Sequence, residues 1–397
     1  MCRVPPEVKN DLRRRIERQR AFFARREPGD LLISVACVAP DSFKELATLQ
    51  LRAYEAARQF SLETFLQQNL PPDDPEAVLR DEKALEALVE TWVRAMRARR
   101  DSQPIAFVDD TVPGEGAYLG IGAITAAMTG KRPVLSDENK TTWLEANLSW
   151  EEIANLRFDP QNPWIMYAVT LDRTLWRLWD EDYLVAPYFF RSPLDAANGI
   201  RGNTLFADLY LYPQEAKALL DWCADWAIQM VNYLEAQVHR PGGWPTGGWG
   251  CALPDRAVTV NGDPTGLISR AMHLEFDRPY TAKLFTSVGG GFFHHHAIGR
   301  HQVDLVAETR GMVVQEIIDD PTCAGTAEAM IHDGAMREKI LQASLKVPIQ
   351  IDYVPYGLLD ALLPIVEEGR FILTVICESE DEAREAICTV RRVSTLG

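Results

Sequence analysis

Apolar positions along the chain follow two rhythms. Short continuous runs, such as LLISVACVAP (31–40), predict buried strands, this one ending at Pro40. Longer segments keep their apolar residues on one helical stripe. In 75–98 the stripe is Leu79, Leu85, Leu88, Val89, Trp92, Val93 and Met96; in 213–238 it runs from Leu219 and Leu220 through Met230, Val231 and Leu234. Both segments begin with a proline, Pro75 and Pro213, where a missing N–H costs a helix nothing, and Asp74 is suited to cap the first. Towards the C-terminus, AKLFTSVGGGFF, GMVVQEIIDD, KVPIQIDYV and RFILTVICES predict four strands separated by helical or mixed segments. The last leads into a helix with Ser379 and Glu382 at capping-box spacing and Arg391 and Arg392 at its end.

This alternation predicts an α/β fold with a parallel sheet, and its repeated strand-to-helix units favour a (β/α)8 TIM barrel. Residues 1–30 are expected to add an N-terminal helical extension. A length of 397 residues suits one barrel with additions. With no internal repeat and no low-complexity linker, residues 1–397 are expected to form a single domain.

Composition narrows the functions. A formal charge of -16 argues against a nucleic-acid partner, because binding there needs a basic surface. The arginine runs at 13–20 and 94–100 read as solvated helix faces. No stretch approaches the ~18 consecutive apolar residues of a membrane span, so none is expected. The start lacks the apolar core of a secretion signal. Seven scattered cysteines without CxxC spacing suit a reducing cytoplasm. Nothing in the sequence sets an oligomeric state.

In a barrel, reactive groups sit where strands end. Reading each expected strand to its end yields Asp109 and Asp110 after PIAFV, Asp263 after AVTVNG, and His294–His296 after VGGGFF. It then yields Glu316, Asp319 and Asp320 after MVVQ, Asp352 after PIQI, and Cys377 and Glu378 after FILTVI. Asp320, before Pro321, also reads as a helix cap. Asp110, Asp263, His296, Glu316, Asp352 and Cys377 are expected to surround one cleft.

Four of the seven histidines lie within 294–301. Side chains alternate along a strand, so His294 and His296 should share one face and His295 the other. That spacing can chelate a metal, with Cys377 as a soft partner. In GGWPTGGWG (242–250), Trp244 and Trp249 either stack on a flat or apolar ligand or seal the barrel rim.

The segment NGDPTGLISRAMHLEFDRPYTAKL (261–284) resembles the uroporphyrinogen decarboxylase superfamily. Asp263, Ser269, Phe276, Pro279 and Tyr280 match its acidic strand end, Ser-Pro-like step, aromatic-rich helix and Pro-Tyr pair, with Arg270 in place of the usual proline. His296 and Gly299 match its His-x-x-Gly step. FVDDTVPGEGAYLGIGA (107–123) and VICESEDEA (375–383) are similar to its early acidic strand end and closing strand.

The resemblance implies a TIM barrel with one of two chemistries. One is methyl transfer between a corrinoid and a thiol, where zinc is held by a His-x-Cys pair and a distant Cys. In that pattern His296 takes the metal histidine position and Cys377 that of the distant cysteine. Ile298 stands where the middle cysteine would be, so the third ligand is sought among His294, Glu316 and His301. Asp109, Asp110 or Asp263 would be the base or an orienting group, and Trp244, Trp249, Tyr280 and Asp352 substrate contacts. The other chemistry is cofactor-independent decarboxylation of a porphyrinogen-like or other carboxylated substrate, with Asp110 stabilising a protonated ring and Arg201 gripping a carboxylate. The true decarboxylase's Arg-rich N-terminal segment is missing; REPGDLLISV stands there. Metal-assisted methyl transfer on a small molecule is therefore favoured, with zinc as cofactor and a corrinoid or corrinoid protein as partner. A non-catalytic ligand-binding barrel is the alternative from another class.

Overall fold

The computed structural model describes residues 12–37, 62–71, 74–102, 109–116, 120–136, 141–186, 190–320 and 323–396. Its centre is a parallel sheet of seven described strands: β1 (Leu31–Cys37), β2 (Phe190–Arg191), β3 (Val258–Asn261), β4 (Gly291–His296), β5 (Met312–Ile318), β6 (Ile349–Pro355) and β7 (Phe371–Cys377). They lie in the order β1-β7-β6-β5-β4-β3-β2. On the side of β1 away from β7, the Asp110 N–H donates to the Ile33 carbonyl at 2.8 Å. Further along that segment, Gly114–Glu115 pairs in parallel with Leu184–Val185, which leads towards β2. These links curl the sheet into a TIM-barrel-like ring.

Strand alternation separates two apolar environments. Ile33, Val35, Ile349, Ile351, Phe371, Leu373, Val375 and Cys377 pack outward with the C-terminal helices, including Ala383, Ala386 and Ile387 of Glu380–Val393. Leu32, Phe292, Val314 and Ile372 face the lumen. There they meet Phe22 of α1 (Leu12–Ala24), so the N-terminal helix plugs the end where the strands begin. Gln19 fixes the plug by donating to the Asp110 and Gly250 carbonyls and accepting from the Ala252 N–H.

Several expected elements have shifted bounds. The helix at 213–238 runs Pro213–Gln237, but 75–98 divides into Pro75–Arg80 and Glu82–Ser102, with Asp81 extended between them. AKLFTS ends the helix Arg278–Ser287 rather than beginning a strand, and β4 starts only at Gly291. Between them Gly290 takes a φ of +122°, which favours glycine, and a side chain on Gly289 would run into the Asp255 carbonyl. The expected PIAFV strand falls wholly on 103–108, outside the described residues, as does 38–40. No described helix is long and apolar enough to cross a membrane.

The Gly-rich tryptophan segment is a hairpin, Thr246–Gly248 against Cys251–Leu253, not an irregular loop. It enters the barrel beside the Gly114–Glu115 segment, and its two inner glycines permit the approach. A Cβ on Gly247 would lie 3.0 Å from the Gly114 Cα. One on Gly248 would lie 2.5 Å from Thr259 Oγ1 and 2.7 Å from Leu253 Cδ1. Gly248→Ala should therefore destabilise the protein by about 1–3 kcal/mol through overpacking. A lower urea midpoint with an unchanged slope would show this; an unchanged midpoint would mean that the hairpin does not fill the lumen.

Candidate metal centre

Three strands build the centre. In register, His294 on β4 lies beside Asn261 on β3 and Glu316 on β5. Inward-facing His294 and His296 are one step apart, while His295 points the other way and its Nε2 lies 2.8 Å from the Gln315 amide nitrogen. Asp263 follows β3 through Gly262, whose N–H donates to the His294 carbonyl at 2.8 Å. A side chain on Gly262 would run into the Phe293 ring, so the turn that delivers Asp263 depends on this glycine.

Each inward histidine is anchored through its Nδ1. That of His294 lies 2.5 Å from Glu316 Oε2, and that of His296 lies 2.7 Å from Asp320 Oδ1. Asp320 Oδ2 also accepts from the Ile298 N–H at 3.1 Å. Both Nε2 atoms are thereby turned towards Asp263 Oδ1, which is 3.3 Å from that of His296 and 3.9 Å from that of His294. Asp263 Oδ1 is buried without a hydrogen bond of good geometry. The three donor atoms lie within 4.8 Å of one another.

A tetrahedral ion with bonds of about 2.1 Å needs donors about 3.4 Å apart, which this group approaches. Ligating histidines characteristically hold the other ring nitrogen against a carboxylate, as both do here. The donor set, two imidazoles and one carboxylate, fits a divalent cation and leaves room for further ligands.

Electrostatics mark the same spot. Burial lowers His294 to about 4, so its ring is neutral. Burial also works against a charge on His296, but Asp263 and Asp320 outweigh it and raise that histidine to about 10. Asp263, which burial alone would raise, is held near about 2, chiefly by His296 and His294. A proton on His296 thus provides the positive charge that a cation would otherwise bring.

Behind His294 a polar chain crosses the lumen. The Gln350 amide donates to Glu316 Oε1 and to Asp352 Oδ1, and Thr374 Oγ1 donates to Asp352 Oδ1 at 2.6 Å. Burial pushes Glu316 up to about 7; burial and the nearby Glu316 hold Asp352 well above the usual carboxylate range. Trp249, at the tip of the hairpin, sets its ring edge-on to His294 with centroids 4.5 Å apart.

The structure brings Asp263, His294, His296, Glu316, Asp352 and Trp249 into one region, and Asp110 lines an adjoining part of the lumen with Trp249, Gln350 and Thr374; the remaining expected site residues lie elsewhere. Cys377 packs outward in the apolar layer, its thiol pushed up to about 12 by burial and by Cys37. Asp109 and Asp110 lie beside β1, and the segment that precedes them is outside the described residues. Their carboxylates accept from Val35 and Ile33 N–H groups of β1, and Asp110 is paired with Arg18 and Arg391. Arg201 binds Asp208 and the Leu148 carbonyl. Tyr280 packs in the outer helical layer. Trp244 meets Trp179 edge to face, with the Arg13 guanidinium 4.8 Å from its ring centre. His301 Nδ1 lies 3.3 Å from the Ile298 carbonyl, away from the three donors.

Sequence reasoning missed two roles. Asp320, read as a helix cap, orients His296, and Gln350 ties the lumen carboxyl groups together. The first was discoverable: β4 and β5 pair His296 with Ile318, so the residue two further on points to the same side.

No family model and no curated protein matches this chain in sequence. Among solved structures, the chain is similar to a methyltransferase from Methanosarcina mazei, with a TM-score of 0.52 over 97% of this chain and 99% of that one. At 10% identity the likeness is one of fold: a methyltransferase-like, TIM-barrel-like α/β architecture.

Two outcomes are expected of ion binding. Asp320→Asn should weaken a divalent ion's binding roughly 10–100-fold without abolishing it, because the ligands themselves remain. Binding must also displace the proton that His296 retains up to about 10. Apparent affinity should therefore rise about tenfold per pH unit from neutrality towards that value. Calorimetric titration in buffers of different ionisation enthalpy should detect about one proton released per ion near neutral pH. Affinity independent of pH over this range would contradict the charge assignment.

Proposed function

We propose that this protein is a methyl-transferring enzyme whose nucleophile is activated at Asp263, His294 and His296, with zinc as the ion. The observation that carries the reading is the convergence of both Nε2 atoms and Asp263 Oδ1 while carboxylates hold both Nδ1 atoms. The methyltransferase-like fold adds to it.

A bound zinc ion supplies positive charge that lowers the pKa of a coordinated thiol or hydroxyl, so that the nucleophile is available as its anion at neutral pH. The protein's own groups prepare that charge. Glu316 and Asp320 fix each ring with hydrogen on Nδ1 and a lone pair on Nε2. Gln350 in turn holds Glu316. With two neutral imidazoles and a single carboxylate, the protein leaves the ion net positive, whereas thiolate ligands would neutralise it. Trp249 and the hairpin wall the lumen beside His294. In this reading the methyl donor, a corrinoid or a methylated small molecule, approaches from the strand-end face, and a corrinoid protein is the partner that would present it. Residues 1–397 would act as one domain.

The decarboxylase alternative has less support, because Arg201 and Asp110, its carboxylate grip and ring stabiliser, are both engaged in ion pairs. A passive binding barrel that uses both tryptophans is disfavoured too, since Trp244 and Trp249 have different neighbours.

The test is elemental analysis of the full chain purified without a histidine tag, paired with transfer from methylcobalamin to a thiol followed by the cobalamin spectrum. One zinc per chain is expected, lost in His296→Ala and Asp263→Ala together with the activity, while Cys377→Ser keeps its metal. Metal-free protein that transfers methyl groups at the full rate would refute the reading. So would stoichiometric iron in a protein without transferase activity, because two histidines and one carboxylate are also an iron(II) donor set.

A further inference from the structure

β1 and β7, the first and last strands of the described sheet, both end in cysteine. Their register is unbroken from Leu31 against Phe371 to Cys37 against Cys377, so the two thiols leave the sheet side by side. Both lie on its outer face: alternation along β1 puts Cys37 with Ile33 and Val35, and Cys377 packs in the same apolar layer. Both are free thiols; Cys37 is exposed and Cys377 fully buried. The Cys37 Sγ leans towards the chain that leaves β7, 4.0 Å from the Ser379 carbonyl, while the Cys377 Sγ lies 3.9 Å from the Val375 carbonyl of its own strand. A thiol is a weak donor, so either contact is readily given up.

Neighbouring strands lie about 4.8 Å apart, inside the roughly 4.4–6.8 Å between Cα atoms that a disulfide spans. In a parallel pair the Cβ atoms are about as far apart as the Cα atoms, slightly wider than the roughly 3.5–4.5 Å usual for a disulfide. The bond is therefore within reach by side-chain rotation and a small adjustment at the strand ends, and the remaining strain makes it easy to reduce.

We propose that Cys37 and Cys377 form a reversible disulfide that staples the mouth end of β1 to β7 when the protein meets a small-molecule disulfide of the glutathione type. The Cys37 thiol loses its proton to solvent and attacks one sulfur of the small disulfide, expelling the other half as a thiolate. Cys377 then loses its proton and attacks the Cys37 sulfur, expelling the second half. Two protein thiols are oxidised by two electrons, and one small disulfide is reduced to two thiols. Burial, then Cys37 and Glu382, push the Cys377 thiol up to about 12; desolvation, then Glu380, Asp109 and Glu382, raise that of Cys37. Thiolate is scarce at both positions, so exchange is slow and begins at the accessible Cys37. The pair is separate from the metal-centre reading, whose donors face the lumen.

The test uses the full chain. It is incubated with mixtures of oxidised and reduced glutathione, the remaining thiols are trapped with N-ethylmaleimide in denaturant, and the products are mapped by mass spectrometry. Oxidised glutathione is expected to join the peptides that carry Cys37 and Cys377 in most chains, and excess reduced glutathione to separate them again. Cys377→Ala, which keeps the layer apolar, should instead hold one glutathione on Cys37, and Cys37→Ser should leave Cys377 unmodified. A wild-type chain that keeps glutathione on Cys37 without the cross-link would overturn the proposal. So would a Cys37 that stays a free thiol, or one bonded to another cysteine. A cross-link that reduced glutathione does not reopen would overturn its reversibility. The wild-type chain decides the matter, so a folding defect in either variant cannot mask the result. None of these readouts depends on metal or on methyl transfer, and failure here leaves the Asp263 centre untouched.

Discussion

The register of β4 between β3 and β5 is the constraint on which the candidate centre depends. It sets His294 beside Asn261 and Glu316, and the period of two then turns His296 inward and His295 outward. A slip of one residue would send His295 into the lumen and bury His294 and His296 among the outer helices. Gly262 and the chain beyond Ile318 extend the arrangement, because they carry Asp263 and Asp320 to the two sides of His296. A strong local concentration of histidines becomes a three-donor group only through this pairing.

Burial makes the centre electrostatically demanding. Glu316 and Asp352 are buried in the lumen, and the amide of Gln350 and the hydroxyl of Thr374 satisfy part of their bonding capacity. Carboxyl groups so placed titrate high unless positive charge is near. Asp263 and Asp320, by contrast, are held low by His296. The region therefore separates a face that attracts positive charge from an interior whose carboxyl groups titrate high. Such separation is how environments assign different roles to chemically identical groups.

The opposite end of the barrel has a structural task. Asp109 and Asp110 bind backbone N–H groups of β1, and Arg18 of α1 and Arg391 of the last helix both reach Asp110. First and last segments of the chain are thereby tied to the same carboxylate beneath the plug. Removing the Asp110 carboxylate would take a partner from two cations and from the Ile33 N–H, a change in stability rather than in chemistry.

Much of the architecture was legible from periodicity. Apolar runs marked β1, β5, β6 and β7, and helical stripes marked the long amphipathic helix at 213–237, because burying one face imposes a pattern that composition cannot hide. The sharing of one face by His294 and His296 was legible for the same reason. Cys377 was not, since a strand end has two sides and only tertiary packing determines which faces the lumen; here it is Ile376 and not Cys377 that falls on the side of Ile372. The acidic pair at 109–110 was legible as a candidate, but not its hydrogen bonds to a strand over 70 residues away. Asp320 became a histidine partner, and the glycine-tryptophan segment a hairpin within the barrel, through contacts that local sequence does not encode. Local pattern thus determined which residues are buried and how they alternate. Only the closed sheet decided which reactive groups meet, because that depends on register and on which strands become neighbours.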